Sequence, residues 1–275
     1  MLFGAIIGDI VGSIYEFRNI KTKDFPFFSP NCYITDDSCM TIAVAKALME
    51  WKRNGGDLQQ LTIQYMREIG FKHPHMGYGF GFAKWLFNKE TEPYNSWGNG
   101  AAMRISAVGW IGRSIAEVKR LSYMVTAVSH DHIEGIKGAE ATAIAIFLAR
   151  TGKSKEEIAQ YITKNYYDWC SSVAELQENY SWNGSCQGTV PPALQCFFES
   201  KNFEDAIRNA ISIGGDSDTI GAITGSVAEA FYGIPDDIKE KAKNYIPEDL
   251  LQMVIELEKA YTAGFVEKET EPKAE

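Results

Sequence analysis

The 275-residue chain lacks most of the features that mark a secreted, membrane-spanning or nucleic-acid-coating protein. Cysteine is scarce. Cys32, Cys39, Cys170, Cys186 and Cys196 are odd in number and show no Cys-x-x-Cys spacing, which excludes a dense disulfide framework and argues for thiols in a reducing compartment, most simply the cytosol. Positive charge is short as well. The 27 Lys and Arg against 36 Asp and Glu leave a net charge of -9, which argues against coating nucleic acid or an anionic membrane while leaving a small anionic ligand open to a local pocket. No uninterrupted apolar run is long enough to span a bilayer. The segment from Met1 to Ile14 is apolar, but it has no basic leader, is cut by Asp9 and runs into Glu16, so it reads as neither a signal peptide nor a membrane span. Only four histidines occur, paired as His73/His75 and His130/His132, and no Cys or His at ligand spacing completes a zinc set.

Alternating strand patterns are scarce too, and what fills the chain is apolar residues at helical period. They predict helices over 3–16, 39–53, 57–69, 80–88, 101–112, 115–128, 133–150, 154–165, 190–199, 203–212, 219–232, 236–243 and 247–262. The connections carry Gly, Pro, Asn and Asp. No change of composition splits the body, so one domain over 1–265 is expected, with a disordered tail of alternating acids and lysines over 266–275. Gly4, Gly8 and Gly12 recur every fourth residue and form a smooth stripe against which another helix can pack closely.

Two acidic clusters stand out: Thr35-Asp36-Asp37-Ser38 and Gly214-Gly215-Asp216-Ser217-Asp218-Thr219. Each opens a helix-like run, where backbone N–H groups and the helix dipole favour ionised carboxylates, so all four Asp are expected to be charged. An N-cap would explain either cluster alone, but a cap needs one such residue and the surplus acid appears twice. If the fold brings them together, a cation must join them, and all-oxygen donors suit Mg²⁺, Mn²⁺ or Ca²⁺. An EF-hand does not fit, because Ile220 and Val227 fall where ligands are required. Asp9 and Glu16, seven residues apart, would project from one face of the opening helix, buried near such a site. Two glycine-rich stretches, 75–81 and 96–104, each lead into a helix and could cradle phosphates, although neither is a Walker A loop or a dinucleotide fingerprint. His130 follows an apolar helix end, where it either contacts a ligand or caps that helix.

In order along the chain, Gly8-Asp9-Ile10-Val11-Gly12-Ser13-Ile14-Tyr15-Glu16, Thr35-Asp36-Asp37-Ser38, Gly77-Tyr78-Gly79, Gly98-Asn99-Gly100-Ala101-Ala102-Met103-Arg104, Ser129-His130 and the closing Asp216-Ser217-Asp218-Thr219 resemble the ADP-ribosylglycohydrolase family, over nearly the whole chain to about residue 260. The resemblance implies an all-α, compact orthogonal bundle around a central cleft with a binuclear Mg²⁺ or Mn²⁺ centre. It implies metal ligation by Thr35, Asp36 and Asp37 on one side and Asp216, Asp218 and Thr219 on the other, with Glu16, Asp36 and Asp37 as catalytic residues. Gly77, Tyr78, Gly79, Gly98, Asn99 and Gly100 would hold the pyrophosphate and ribose of ADP-ribose, with His130 nearby. Ser38 departs from the family's usual Thr but keeps the hydroxyl. The implied activity is hydrolysis of the bond between ADP-ribose and an arginine, a serine or another ADP-ribose unit on a protein or small conjugate. The segment Ser13-Ile14-Tyr15-Glu16 looks closer to the branch that acts on O-linkages. A monomer is expected. A non-catalytic ADP-ribose-binding relative would have lost some of these acids, and all are present. A phosphatase of the haloacid dehalogenase type, suggested by Asp216-x-Asp218-Thr219, would need a buried strand before that motif and a Rossmann-like domain after it.

Overall fold

The computed structural model describes residues 1–88, 92–168 and 171–266. Among these residues there are fifteen α-helices, one short 3-10 turn and no strand. The all-α expectation therefore holds. The centre is α1 (Phe3–Gly12), every residue of which is buried. Its main partner is α13 (Ser217–Tyr232), and the two meet backbone to backbone along the glycine stripe. A Cβ placed on Gly8 would lie 2.0 Å from the carbonyl oxygen of Gly221, and one on Gly4 would lie 2.2 Å from that of Gly225. Glycines thus face glycines from both helices, which no side chain could replace without driving them apart. Around this pair lie α2 (Asp36–Asn54), α8 (Ile133–Arg150), α11 (Cys186–Phe198) and α12 (Phe203–Ser212). Twelve residues of α8 are buried, so it runs through the interior rather than along the surface.

The opening helix stops at Gly12 and not at residue 16. A Cβ on Gly12 would sit 2.5 Å from the Cα of Asp218, so the chain turns there against the start of α13, and Tyr15 N–H closes the turn on Gly12 O at 2.8 Å. Asp9 and Glu16 consequently do not share a helix face. The helix expected over 101–112 is broken at Arg104 and Ile105 into α5 (Gly100–Met103) and α6 (Ser106–Ile111). Between α9 (Lys155–Asn165) and α11 lies an unanticipated helix, α10 (Val173–Asn179), opened by a reciprocal cap between Ser172 and Glu175. α11 begins four residues earlier than the expected residue 190 because Ser185 caps it, and it carries Pro191 and Pro192. Pro192 has no N–H to offer the carbonyl of Gly188, and Tyr180 Oη donates to that oxygen at 2.9 Å. All but the first residue of the tail expected to be disordered lies outside the described residues. No disulfide joins the four described cysteines, all of which are buried. Among the described residues, no helix is long and apolar enough to cross a membrane.

Candidate metal and ligand site

Both acidic clusters do open helices. Thr35 is the N-cap of α2, and its hydroxyl oxygen accepts from Asp37 N–H. Asp9 reaches over from α1 and completes that cap. Its carboxylate accepts from Thr35 N–H at 2.9 Å, Thr35 Oγ1 at 2.8 Å, Ser38 N–H at 3.1 Å and the Ser38 hydroxyl. Four donors saturate Asp9, which therefore fixes α1 to α2 and leaves the cation-facing positions to Asp36 and Asp37. The hydroxyl at position 38 is thus used to hold a carboxylate.

The second cluster begins with Gly214 and Gly215, at φ +68° and +81°, a conformation that favours glycine and swings the chain into α13 with Asp216 at its N-cap. Asn19 binds both sides of Gly215, accepting its N–H at 2.8 Å and donating to its carbonyl at 2.9 Å. The same amide also donates to Tyr15 O and Glu16 O, which fastens the Glu16 turn to the Asp216 loop. Lys21 reinforces the tie by donating to Tyr180 O at 2.7 Å and Ile213 O at 2.5 Å.

The two clusters meet at the floor of a cleft. Thr219 Oγ1 donates to Asp37 Oδ2 at 3.2 Å, and Glu16, Asp216 and Asp218 each bring a carboxylate oxygen within 4.8 Å of the others. Asp37 Oδ1 is buried and has no hydrogen-bond partner. Asn99, expected to touch a ligand, donates to Asp216 Oδ2 at 2.7 Å and so orients a carboxylate of the cluster. Burial, and then mutual repulsion, push these acids upward. Asp36 rises to about 8 through burial and the neighbouring charges of Asp9 and Asp216. Glu16 rises to about 7 for the same two reasons, with Asp216 its main charged neighbour. Asp37 and Asp218 are driven well above the carboxylate range, again by burial first, and Asp216 is raised by burial. By themselves, then, the four aspartates are not all charged, contrary to the expectation from the helix dipole. Removal from water and crowding outweigh the helix ends. An orphaned buried carboxylate oxygen amid an all-oxygen donor set, whose acids are raised by crowding one another, fits a hard divalent cation.

The cleft above this floor has a volume of about 430 Å³. Of the residues expected to hold metal or ligand, all but Tyr78 border it, and Asp9, expected beside them, lies behind the Thr35 cap and does not. The Tyr78 phenol turns away to donate to His73 O at 3.1 Å, and its ring packs on Phe82 and Phe87. Gly77 and Gly79 form one wall and Gly98 and Gly100 another, the second fastened to Ser185 by a single bridge. His130 does both things its position allowed. Its backbone N–H bonds Thr126 O beyond the helix end, while its imidazole borders the cleft. The neighbouring His132 caps α8. Phe17, Phe80 and Trp182 are 82%, 89% and 57% exposed and stand at the mouth. Arg104, the largest fully buried side chain among the described residues, also borders the cleft.

Two facing helix N-termini, an acidic cluster of oxygen donors and a cleft with glycine walls define, among the described residues, an all-helical protein with a candidate cation site. The chain belongs to the ADP-ribosylglycohydrolase family, whose model matches residues 1–266. It is 26% identical to human ADP-ribosylhydrolase ARH3, over 91% of this chain and 90% of that protein. It is 24% identical to ADP-ribosylarginine hydrolase Tri1 of Pseudomonas putida, over 85% of this chain and 70% of the relative. Among solved structures, an ADP-ribosylglycohydrolase-related protein complex matches at a TM-score of 0.69 with 20% identity, covering 94% of this chain and 96% of that one, and shares the fold.

Proposed function

We propose that this chain is a metal-dependent hydrolase that cleaves the glycosidic bond between ADP-ribose and an acceptor, acting as a monomer. The observation that carries the reading is the carboxylate cage at the cleft floor, with its unpartnered Asp37 oxygen and with Glu16 beside it. Thr35, Asp36, Asp37, Asp216, Asp218 and Thr219 would hold two divalent cations, Mg²⁺ or Mn²⁺. When bound, these supply Lewis-acid stabilisation to negative charge developing at the reacting oxygens.

The protein's own groups divide the remaining work. Cleavage at an anomeric carbon passes through an oxocarbenium-like state, so water must be delivered to one face while the acceptor leaves from another. Glu16 is half-buried at the edge of the cage and ionises near neutrality, which suits a base that takes the proton of the attacking water. Asn19 and Lys21 hold the Glu16 turn in register with Asp216, so the base and the cage keep a fixed separation. Backbone N–H groups of Gly77–Gly79 and of Gly100 would offer donors to the pyrophosphate and ribose, whereas those of Gly98 and Asn99 are spent on Ser96 Oγ and Gly184 O. The acceptor would leave past Phe17 at the mouth.

The reading is tested by a release assay on arginine-, serine- and polymer-linked ADP-ribose, with Mg²⁺, with Mn²⁺ and with EDTA. Release from at least one conjugate, abolished by EDTA, is expected, and free ADP-ribose should inhibit as product. Tight binding of ADP-ribose with no release from any of the three would make the protein a binding module instead.

A further inference from the structure

Arg104 is buried to 1% exposure, makes no ion pair among the described residues and keeps an unpartnered Nε. Its polar contacts run toward one neighbour pair. Arg104 Nη2 donates to Ser129 Oγ at 2.8 Å, Ser129 Oγ lies 2.9 Å from His130 Nδ1, and Nη2 is 3.4 Å from that same ring nitrogen. A guanidinium can only donate, so the serine oxygen accepts from it and has its single proton left for Nδ1. A proton on Nδ1 would instead face the guanidinium 3.4 Å away and leave the serine proton without an acceptor among the described residues. The imidazole is therefore neutral, with Nδ1 as acceptor and the proton on Nε2. The ring has little room to turn. Phe82 and Tyr94 flank it at centroid distances of 6.1 and 5.7 Å, and the guanidinium lies over Phe82 at 5.3 Å.

Nε2 has no partner among the described residues and faces the glycine wall. A Cβ on Gly100 would come within 3.3 Å of it and one on Gly98 within 3.5 Å. We propose that Arg104 is a positioning residue that acts through Ser129 to fix His130 as the neutral Nε2–H tautomer. The cleft wall beside Gly98–Gly100 then presents one N–H donor to an acceptor oxygen, phosphate or hydroxyl, of the bound ligand. Only the identity of that ligand rests on the ADP-ribose reading; the tautomer does not.

The test is the long-range ¹H–¹⁵N spectrum of the histidines in the full ¹⁵N-labelled chain at pH 7.5, with His130 assigned by its loss in His130→Gln. Wild type should show a protonated Nε2 and a bare Nδ1. Ser129→Ala should give a mixture of tautomers and about tenfold weaker binding of ADP-ribose by calorimetry, the scale of one oriented hydrogen bond. Arg104→Lys, which keeps a donor for Ser129, should retain the Nε2–H form. A wild-type ring protonated on Nδ1, or an unchanged tautomer in Ser129→Ala, overturns the proposal. A correct tautomer in a protein that binds no ADP-ribose supports the positioning role and overturns the functional reading instead.

Discussion

Raising the pH from 6.5 to 8.5 with divalent cations withheld is expected to destabilise this protein, although most proteins change little over that range. Asp36 ionises near 8 and Glu16 near 7 in the folded chain, against about 4 for such groups when unfolded. Across this window the folded state therefore holds protons that the unfolded state has already released, and stability must fall as pH rises until both states are ionised. One full proton of difference is about 1.4 kcal/mol per pH unit, so Asp36 alone accounts for roughly 2 kcal/mol between pH 6.5 and 8. Glu16 adds less, because solvent screens a half-exposed carboxylate. His130 does not confuse the result. Burial beside Arg104 holds its pKa well below 6.5, so its contribution is present throughout this range and is lost only as pH falls below it. The assay is guanidinium denaturation followed by circular dichroism in EDTA at each pH, then repeated with Mn²⁺ or Mg²⁺. The cation competes with the same protons, so its stabilising increment should grow with pH and reach about 2.7 kcal/mol at a hundred times its dissociation constant. A stability in EDTA that is flat or rises between pH 6.5 and 8.5 would refute the reasoning.

Other substitutions separate the parts of the site. Asp36→Ala and Asp218→Ala should each abolish the thermal shift given by Mn²⁺, and unchanged calorimetric affinity in both would remove the two-cation cage. Glu16→Gln should fold normally and lower turnover by at least about a hundredfold, the scale for losing a general base, whereas wild-type turnover would assign that work elsewhere. Asn99→Ala leaves Asp216 without its side-chain donor at 2.7 Å, so Mn²⁺ affinity should fall roughly tenfold or more while the melting temperature in EDTA barely moves. Gly8→Ala should cost at least about 3 kcal/mol by urea denaturation, because its Cβ would lie 2.0 Å from a backbone oxygen that cannot rotate away. Gly79→Ala, with nothing within 4 Å, is the matched control.

The helices and the glycine stripe could be read from the sequence because each rests on local period, whereas the meeting of the two acidic clusters, 182 residues apart, was implied only by the family resemblance. What could not be read depended on distant partners. The end of α1 at Gly12 is set by the backbone of Asp218, some two hundred residues away, and no local signal marks it. Asp9 looked like a candidate for the site, yet its carboxylate is consumed by Thr35 and Ser38 across a helix contact. Asn99 and Tyr78 sit in the right loops but spend their polar atoms on Asp216 and on His73. The protonation of the aspartates depends on burial and mutual distance, which a helix-end rule does not contain. Arg104 lies at the end of a quoted motif and still gave no sign that it would be buried without a counter-charge. Other misses were legible after all. Ser172-Val173-Ala174-Glu175 is a capping box, and it opens α10.

The glycine seam has a consequence for the chain during synthesis. α1 is apolar on every side because α13, α2 and α12 enclose it, but α13 leaves the ribosome roughly 200 residues later. At about 5–20 residues per second, that is on the order of ten to forty seconds during which the glycine stripe of α1 lacks the helix it packs on. A bare glycine stripe cannot be satisfied by an approximate substitute, since its attraction comes from backbone contact that only a second glycine-lined helix permits. The acidic cluster cannot assemble until the last quarter of the protein docks, so a chain truncated before α13 would lack Asp218, Thr219 and the helix that covers the glycine stripe.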